Sequence, residues 1–215
     1  MLFDAVFFDF DGVLAESGDI KTDAFRILYA EFGDAVVQRC VAHHTLHAGL
    51  SRVLKIRKYH KDFLGVDLSD DEHARWVQRY GDIVEDQVVA APAVAGALEF
   101  LDSHTGRMGL YVVSGTPEDE LKRIVAAKGW EGYFDGVFGS PRLKPAIIDA
   151  ILAEAGLERG RTLFVGDAMT DYNAARETGL RFLGRVPQGG ENLFPPGTEI
   201  VPDLTGLGTY VLGKT

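Results

Sequence analysis

An apolar, β-favouring run closes on two carboxylates one residue apart: Ala5-Val6-Phe7-Phe8-Asp9-Phe10-Asp11-Gly12-Val13-Leu14. Apolar residues in succession, rather than in alternation, predict a parallel strand covered on both faces. Asp9 and Asp11 then stand where that strand runs out, beside Gly12, which lets the chain turn sharply. In an open α/β sheet, ligands bind at the carboxyl ends of the strands. Two carboxylates there repel each other unless a cation lies between them, and carboxylate oxygens are the hard ligands that Mg²⁺ prefers. The pattern therefore points to a metal-assisted site with an aspartate free to act as a nucleophile.

The rest of the chain repeats the motif of a strand followed by a helix. Further β-type runs are Leu110–Val113, Gly136–Phe138, Thr162–Val165 and Leu180–Leu183. Helical patterns separate them at 93–103, 117–128, 144–156 and 171–178, the second opening with Thr116 as a cap and Pro117 at the first position. Strands alternating with helices imply an α/β fold: a Rossmann-like parallel sheet with helices on both faces. Residues 16–90 break this rhythm. They read as helices near 19–32, 34–46, 51–63 and 69–88, punctuated by Gly33, Gly49 and Gly65. The expected organisation is a core of residues 1–15 and 91–215 with an all-helical insert at 16–90. The tail after 185 carries Gly-Gly, Pro-Pro and Pro-Gly pairs; it is expected to wrap the core, add a short strand near 199–201 and end loosely.

Bulk properties narrow the function classes. A net charge of −10 disfavours general nucleic-acid binding, though local cations can still receive an anionic small molecule. Cys40 is the single cysteine, so no internal disulfide forms and a reducing, cytoplasmic compartment is expected. The first 14 residues lack a basic start and do not read as a signal peptide. No apolar run approaches the roughly 18 residues of a membrane span.

Four expected strand ends carry polar residues of one coherent kind. They are Asp9 and Asp11; Ser114-Gly115-Thr116; Lys144, opening a helix after Gly139-Ser140-Pro141-Arg142-Leu143; and Gly166-Asp167-Ala168-Met169-Thr170-Asp171. In a parallel sheet these ends face the same side. Together they supply a nucleophile, a clamp for a divalent cation, hydrogen-bond donors and an ammonium for phosphoryl oxygens, which is what phosphoryl transfer requires. Each has a plainer reading. Ser114-Gly115-Thr116 also suits a turn and helix cap, Lys122 and Lys128 rival Lys144, and Asp171 also suits a capping role.

Four such motifs in order make the chain resemble the haloacid-dehalogenase superfamily of phosphotransferases, in its phosphoglycolate-phosphatase and β-phosphoglucomutase branch, over nearly its whole length. The resemblance implies that Asp9 attacks phosphorus to form an aspartyl-phosphate. It implies that Asp11 protonates the leaving alkoxide and then activates water. Ser114 and the Gly115 amide would hold the phosphoryl group, and Lys144 would pair with Asp9. Mg²⁺ would lie on Asp9, the Asp11 backbone carbonyl and Asp167, with Asp171 beside it. The insert stands where this family places its C1 cap, a lid that suits a small phosphorylated metabolite and fits macromolecular esters poorly.

Within the insert, Ala48-Gly49-Leu50-Ser51-Arg52 resembles the cap loop of the β-phosphoglucomutase branch. Arg52 could grip a distal anion there, or could be an ordinary residue of a helix's first turn. The basic stretch Lys55, Arg57, Lys58, His60 and Lys61 reads mainly as a solvated face. Cys40, His43, His44 and His47 share one helical face; a zinc site is outweighed by one or two histidines lining a pocket mouth. The expected activity is Mg²⁺-dependent hydrolysis of a small phosphate monoester, a sugar phosphate or a phosphoglycolate-like compound. A phosphosugar mutase is the alternative, disfavoured by Gly166 before Asp167, where mutase-like relatives usually carry an acid. Dehalogenation is disfavoured by the presence of Asp11, and a non-catalytic ligand-binding protein is the further alternative.

Overall fold

The computed structural model describes residues 1–213. Six parallel strands form one sheet in the order β3-β2-β1-β4-β5-β6: β1 Ala5–Phe8, β2 Gly109–Pro117, β3 Gly136–Ser140, β4 Thr162–Gly166, β5 Arg181–Arg185 and β6 Ile200–Val201. The chain moves outward from β1 to β2 and β3, then returns to pair β4 against the free side of β1. This reversal opens a crevice at the carboxyl end of β1, where such sheets bind ligands.

The continuous apolar run of β1 has a direct cause. Val6 and Phe8 face one hydrophobic core, with Phe100, Leu121 and Ile124. Ala5 and Phe7 face the other, with Ile147, Ile151 and Phe164. Both faces are fully covered, so no position along the strand is left for a polar side chain. The expected parallel sheet with helices on both faces, and the short strand near the C-terminus, are borne out.

Between β1 and β2 the chain builds α1 Gly18–Tyr29, α2 Asp34–Leu46, α3 Arg52–Tyr59 and α4 Asp70–Ala90. Helix α4 starts on a reciprocal cap: Glu72 N donates to Ser69 Oγ (3.4 Å) and Ser69 N donates to Glu72 Oε2 (2.9 Å). The remaining helices are α5 Ala97–His104, α6 Glu118–Ala127, α7 Lys144–Ala155, α8 Met169–Thr178 and α9 Leu207–Val211.

Several sequence expectations need correction. Helix α5 starts at Ala97 rather than 93, because Val94 N donates to Leu14 O (3.0 Å) and Ala93 bridges Ala15, which ties that stretch to the loop after β1. The helix expected over 51–63 is α-helical only to Tyr59 and continues as a π-turn over His60–Leu64. Thr116 does not cap α6: it belongs to β2, and its hydroxyl bonds Asp11 and Lys21. Lys55 and His60 are not on a solvated face but almost fully buried. The tail does not end loosely within the described residues, since α9 buries Leu207 and Val211, and Leu2 N donates to Val211 O (2.8 Å). The last two residues lie outside the described chain.

Candidate active site

Asp9 continues β1 by one residue, its amide donating to Val165 O of β4 (2.9 Å). The ladder thus fixes its carboxyl at the crevice, 3% exposed. Lys144, first residue of α7, lays its ammonium 2.9 Å from Asp9 Oδ1 and 2.5 Å from Asp171 Oδ1. The approach to Asp171 is a hydrogen bond; the approach to Asp9 is a charge contact at an angle that leaves Oδ1 without a hydrogen-bond partner. The second Asp171 oxygen accepts from Ala168 N (3.1 Å). The capping reading of Asp171 thus holds, and its other oxygen does something the sequence did not suggest: it anchors Lys144.

Asp167 follows β4 and completes a group with Asp9 and Asp171, whose carboxylate oxygens lie within 4.8 Å of one another. Gly12 makes this approach possible. Its φ of +74° suits glycine, and a Cβ there would stand 2.0 Å from Asp167 Oδ2. Burial pushes Asp9 up to about 7; Lys144 opposes the rise, and the charges of Asp171 and Asp11 add to it. Burial raises Asp167 well above the carboxylate range, and Asp9 and Asp171 reinforce it. Crowded, oxygen-only acids with one orphaned buried oxygen form a site short of positive charge, and this donor set suits Mg²⁺.

Asp11 sits in a different field. Burial alone would raise it, but Lys21 Nζ at 3.1 Å and the hydroxyls of Ser17 (2.6 Å) and Thr116 (3.0 Å) bring it below its ordinary value. Asp9 and Asp11, with only Phe10 between them, are thus pushed in opposite directions, Asp9 toward its protonated form and Asp11 toward its anion. Burial disfavours the Lys144 ammonium, yet Asp171 and Asp9 outweigh that and raise its affinity for the proton.

A cavity of about 200 Å³ opens onto these groups, lined by Asp9, Asp11, Ser114, Gly115 and Asp167 from the strand ends and by Lys21, Arg52 and Lys55 from the helical segment. That segment sits down on the core. Ser51 Oγ donates to Ser140 Oγ (3.0 Å), and a Cβ at Gly115 would stand only 2.4 Å from the Gly49 carbonyl oxygen. Backbone meets backbone here, so no side chain can yield. Gly115→Ala is expected to hold the Gly49 loop off the site and lower kcat/KM about 100-fold. Steady-state kinetics on any substrate that the protein turns over checks this; an unchanged value would mean that the loop contact plays no part in turnover.

Arg52 lines the cavity, but its charge is already paired and only Nε is left without a partner. Nη1 donates to Glu120 Oε1 (2.8 Å), Nη2 bonds Glu120 Oε2, and the group lies 5.1 Å from the Tyr80 ring centre. Glu120 was hidden from sequence reasoning because an acid in a helix's first turn reads as a response to the helix dipole. Lys21, the single lysine of α1, was hidden because a basic residue on an amphipathic helix reads as solvent-facing. The Cys40 and histidine face forms no zinc site: His43 Nδ1 meets Tyr59 OH (3.1 Å), His44 Nδ1 meets Lys55 Nζ (2.8 Å) and Cys40 is buried and free. Among the described residues, the only such cation-holding group is the trio of acids above. His44 does line the cavity, as expected of one of these histidines.

Comparison with known proteins agrees with this geometry. The haloacid dehalogenase-like hydrolase family model matches residues 3–179. A phosphoglycolate phosphatase of Rhodospirillum rubrum is 30% identical over 190 residues, covering 82% of this chain and 76% of that protein. In fold, the chain resembles a β-phosphoglucomutase from Clostridium difficile (TM-score 0.78, 16% identity, 99% and 96% of the two chains). It also resembles the magnesium-bound HAD-hydrolase YfnB from Bacillus subtilis (TM-score 0.71, 16% identity, 97% and 98%). The chain belongs to the haloacid dehalogenase-like hydrolase family.

Proposed function

We propose that the protein is a Mg²⁺-dependent phosphatase that hydrolyses a small phosphate monoester through an aspartyl-phosphate on Asp9. The observation that carries this reading is the chain of contacts from Asp9 through Lys144 to Asp171, together with the cavity that Asp9 lines along with Asp11, Ser114 and Asp167. Lys144 favours the ionised, nucleophilic form of Asp9, and Asp171 keeps Lys144 in place. Ser17, Thr116 and Lys21 orient Asp11 and favour its anion in the free protein; it takes up a proton from solvent as substrate enters, gives that proton to the departing alkoxide and later takes one from water. Ser114 and the Gly115 amide receive phosphoryl oxygens, and residues 16–90 act as a cap that keeps bulk water out while residues 1–15 and 91–215 hold the chemistry.

Asp9, Asp167 and the Asp11 carbonyl would hold Mg²⁺, which when bound supplies positive charge to offset the repulsion between the phosphoryl group and these acids. Titrating Mg²⁺ is expected to raise the melting temperature by about 5 °C at saturation, and Asp167→Asn to abolish the rise. An equal shift in both proteins would move the ion elsewhere.

The mutase alternative receives less support. An acid at position 166 has no room, since even a Cβ there would stand 2.3 Å from Asp171 Cβ. Arg52, the group suited to a substrate's far phosphate, is bound to Glu120. Similarity to the phosphoglycolate phosphatases favours a short, anionic substrate. The test is phosphate release from a panel of phosphorylated metabolites with Mg²⁺ and with chelator. Metal-dependent release supports a phosphatase, and an isomerised sugar phosphate without release would support a mutase.

A further inference from the structure

Four lysine and arginine side chains are buried among the described residues: Arg52, Lys55, Lys144 and Arg185. Three have a carboxylate partner. Arg52 meets Glu120, Lys144 meets Asp9 and Asp171, and Arg185 meets Glu16. Lys55, 1% exposed, makes no ion pair among the described residues. Its ammonium donates to His44 Nδ1 (2.8 Å) and to Ala48 O (3.2 Å), and both partners are neutral. Donation to Nδ1 requires the proton of His44 on Nε2, and burial together with Lys55 and Lys21 holds His44 uncharged, down to about 3. An ammonium has three hydrogens, and two are used.

A buried charge without a counter-ion is costly, and a protein keeps one where something else supplies the opposite charge. The site of this deficit is informative. Lys55, His44 and Ala48 line the same cavity as Asp9, Asp11 and Ser114. Lys21 lies between the two ends, 3.1 Å from Asp11 and near enough to Lys55 to depress it further, after burial, to about 7. Lys21 spends its charge on Asp11 and Arg52 spends its own on Glu120. Lys55 alone is left to receive a negative group arriving in the cavity.

We infer that Lys55, positioned by His44 and Ala48, is the subsite for a second anionic group on the substrate, a carboxylate carried close to the phosphate ester. This rests on the phosphatase reading of the same cavity and adds a residue that selects among its substrates. The cap, rather than the catalytic core, then chooses the substrate by charge. A substrate's carboxylate restores neutrality around Lys55 only with the cap seated, so recognition and closure are one event.

The test compares two esters of equal length, phosphoglycolate and ethyl phosphate, which differ by a carboxylate against a methyl group. In the native enzyme kcat/KM is expected to favour phosphoglycolate. Lys55→Met should shrink that preference about 30-fold or more, and Lys55→Arg should restore part of it. A preference unchanged in Lys55→Met overturns the assignment. Methionine fills the same volume without a charge; should that variant melt early, Lys55→Gln carries the same comparison. A second arm measures phosphoglycolate binding by calorimetry to Asp9→Asn and to Asp9→Asn with Lys55→Met. Weaker binding in the double variant supports the subsite, and equal binding overturns it. This arm needs no turnover, so absence of phosphate release from both esters would count against the phosphatase reading while the subsite is still decided.

Discussion

Asp9→Asn should lower kcat by about 10,000-fold or more while the protein stays folded. Asparagine has the shape of aspartate but offers no anionic oxygen to phosphorus. The stability change should be small, within about 1–2 kcal/mol, for two reasons. The substitution removes a carboxyl whose burial disfavours its charge, and it leaves Lys144 with Asp171, its hydrogen-bonded partner. Circular dichroism and a thermal melt alongside the kinetics separate loss of chemistry from loss of fold. An asparagine variant that turns over at the native rate would remove Asp9 from the reaction.

Lys144→Met should fail in both respects. The ammonium is buried between Asp9 and Asp171, which are buried too, and is the cation that offsets their charge. Breaking such a buried contact by deleting one partner costs about 3–5 kcal/mol. For a chain of this size that is a fall in melting temperature of about 10 °C. The loss should depend on pH, and the sign follows from Asp9. Burial already raises Asp9 to about 7 against the opposing pull of Lys144, so deleting Lys144 raises it further. A folded-state value above the unfolded one makes stability grow as pH falls. The variant should therefore lie closer to the native protein at pH about 5 than at about 8. Activity should fall about 100-fold or more at either pH, because the charge that favours the Asp9 anion is gone. Melting curves at the two pH values check the first claim; a deficit that widens on acidification would contradict it.

The core of this fold was legible because its signals are local and redundant. The β1 run is apolar at every position since both faces pack on cores, and the sequence shows this without any long-range knowledge. Asp9, Asp11, Ser114, Lys144 and Asp167 were legible for a related reason: each stands at a strand end or a helix start, so one topological rule brings them together. What stayed hidden depends on which face of a helix meets which strand. Lys21 and Thr116 are 95 positions apart and meet only when α1 lies across the end of β2. Lys55 was read with its basic neighbours as solvent-facing, because charge composition cannot show that two of these five basic residues, Lys55 and His60, turn inward. From sequence Arg52 suits either a grip on a distal anion or an ordinary place in a helix's first turn; its partner is Glu120 on another helix of the same chain, 68 positions away.

The central claim is that the Asp9 carboxylate becomes covalently phosphorylated during turnover. Acid quenching of the enzyme during hydrolysis of a radiolabelled phosphate ester, followed by peptide mapping, addresses it most directly. Label that is retained on the peptide bearing Asp9, is released by hydroxylamine and is absent from Asp9→Asn is the expected result. Phosphate release at full rate with no protein-bound label at any quench time, or with label on a different peptide, would contradict it.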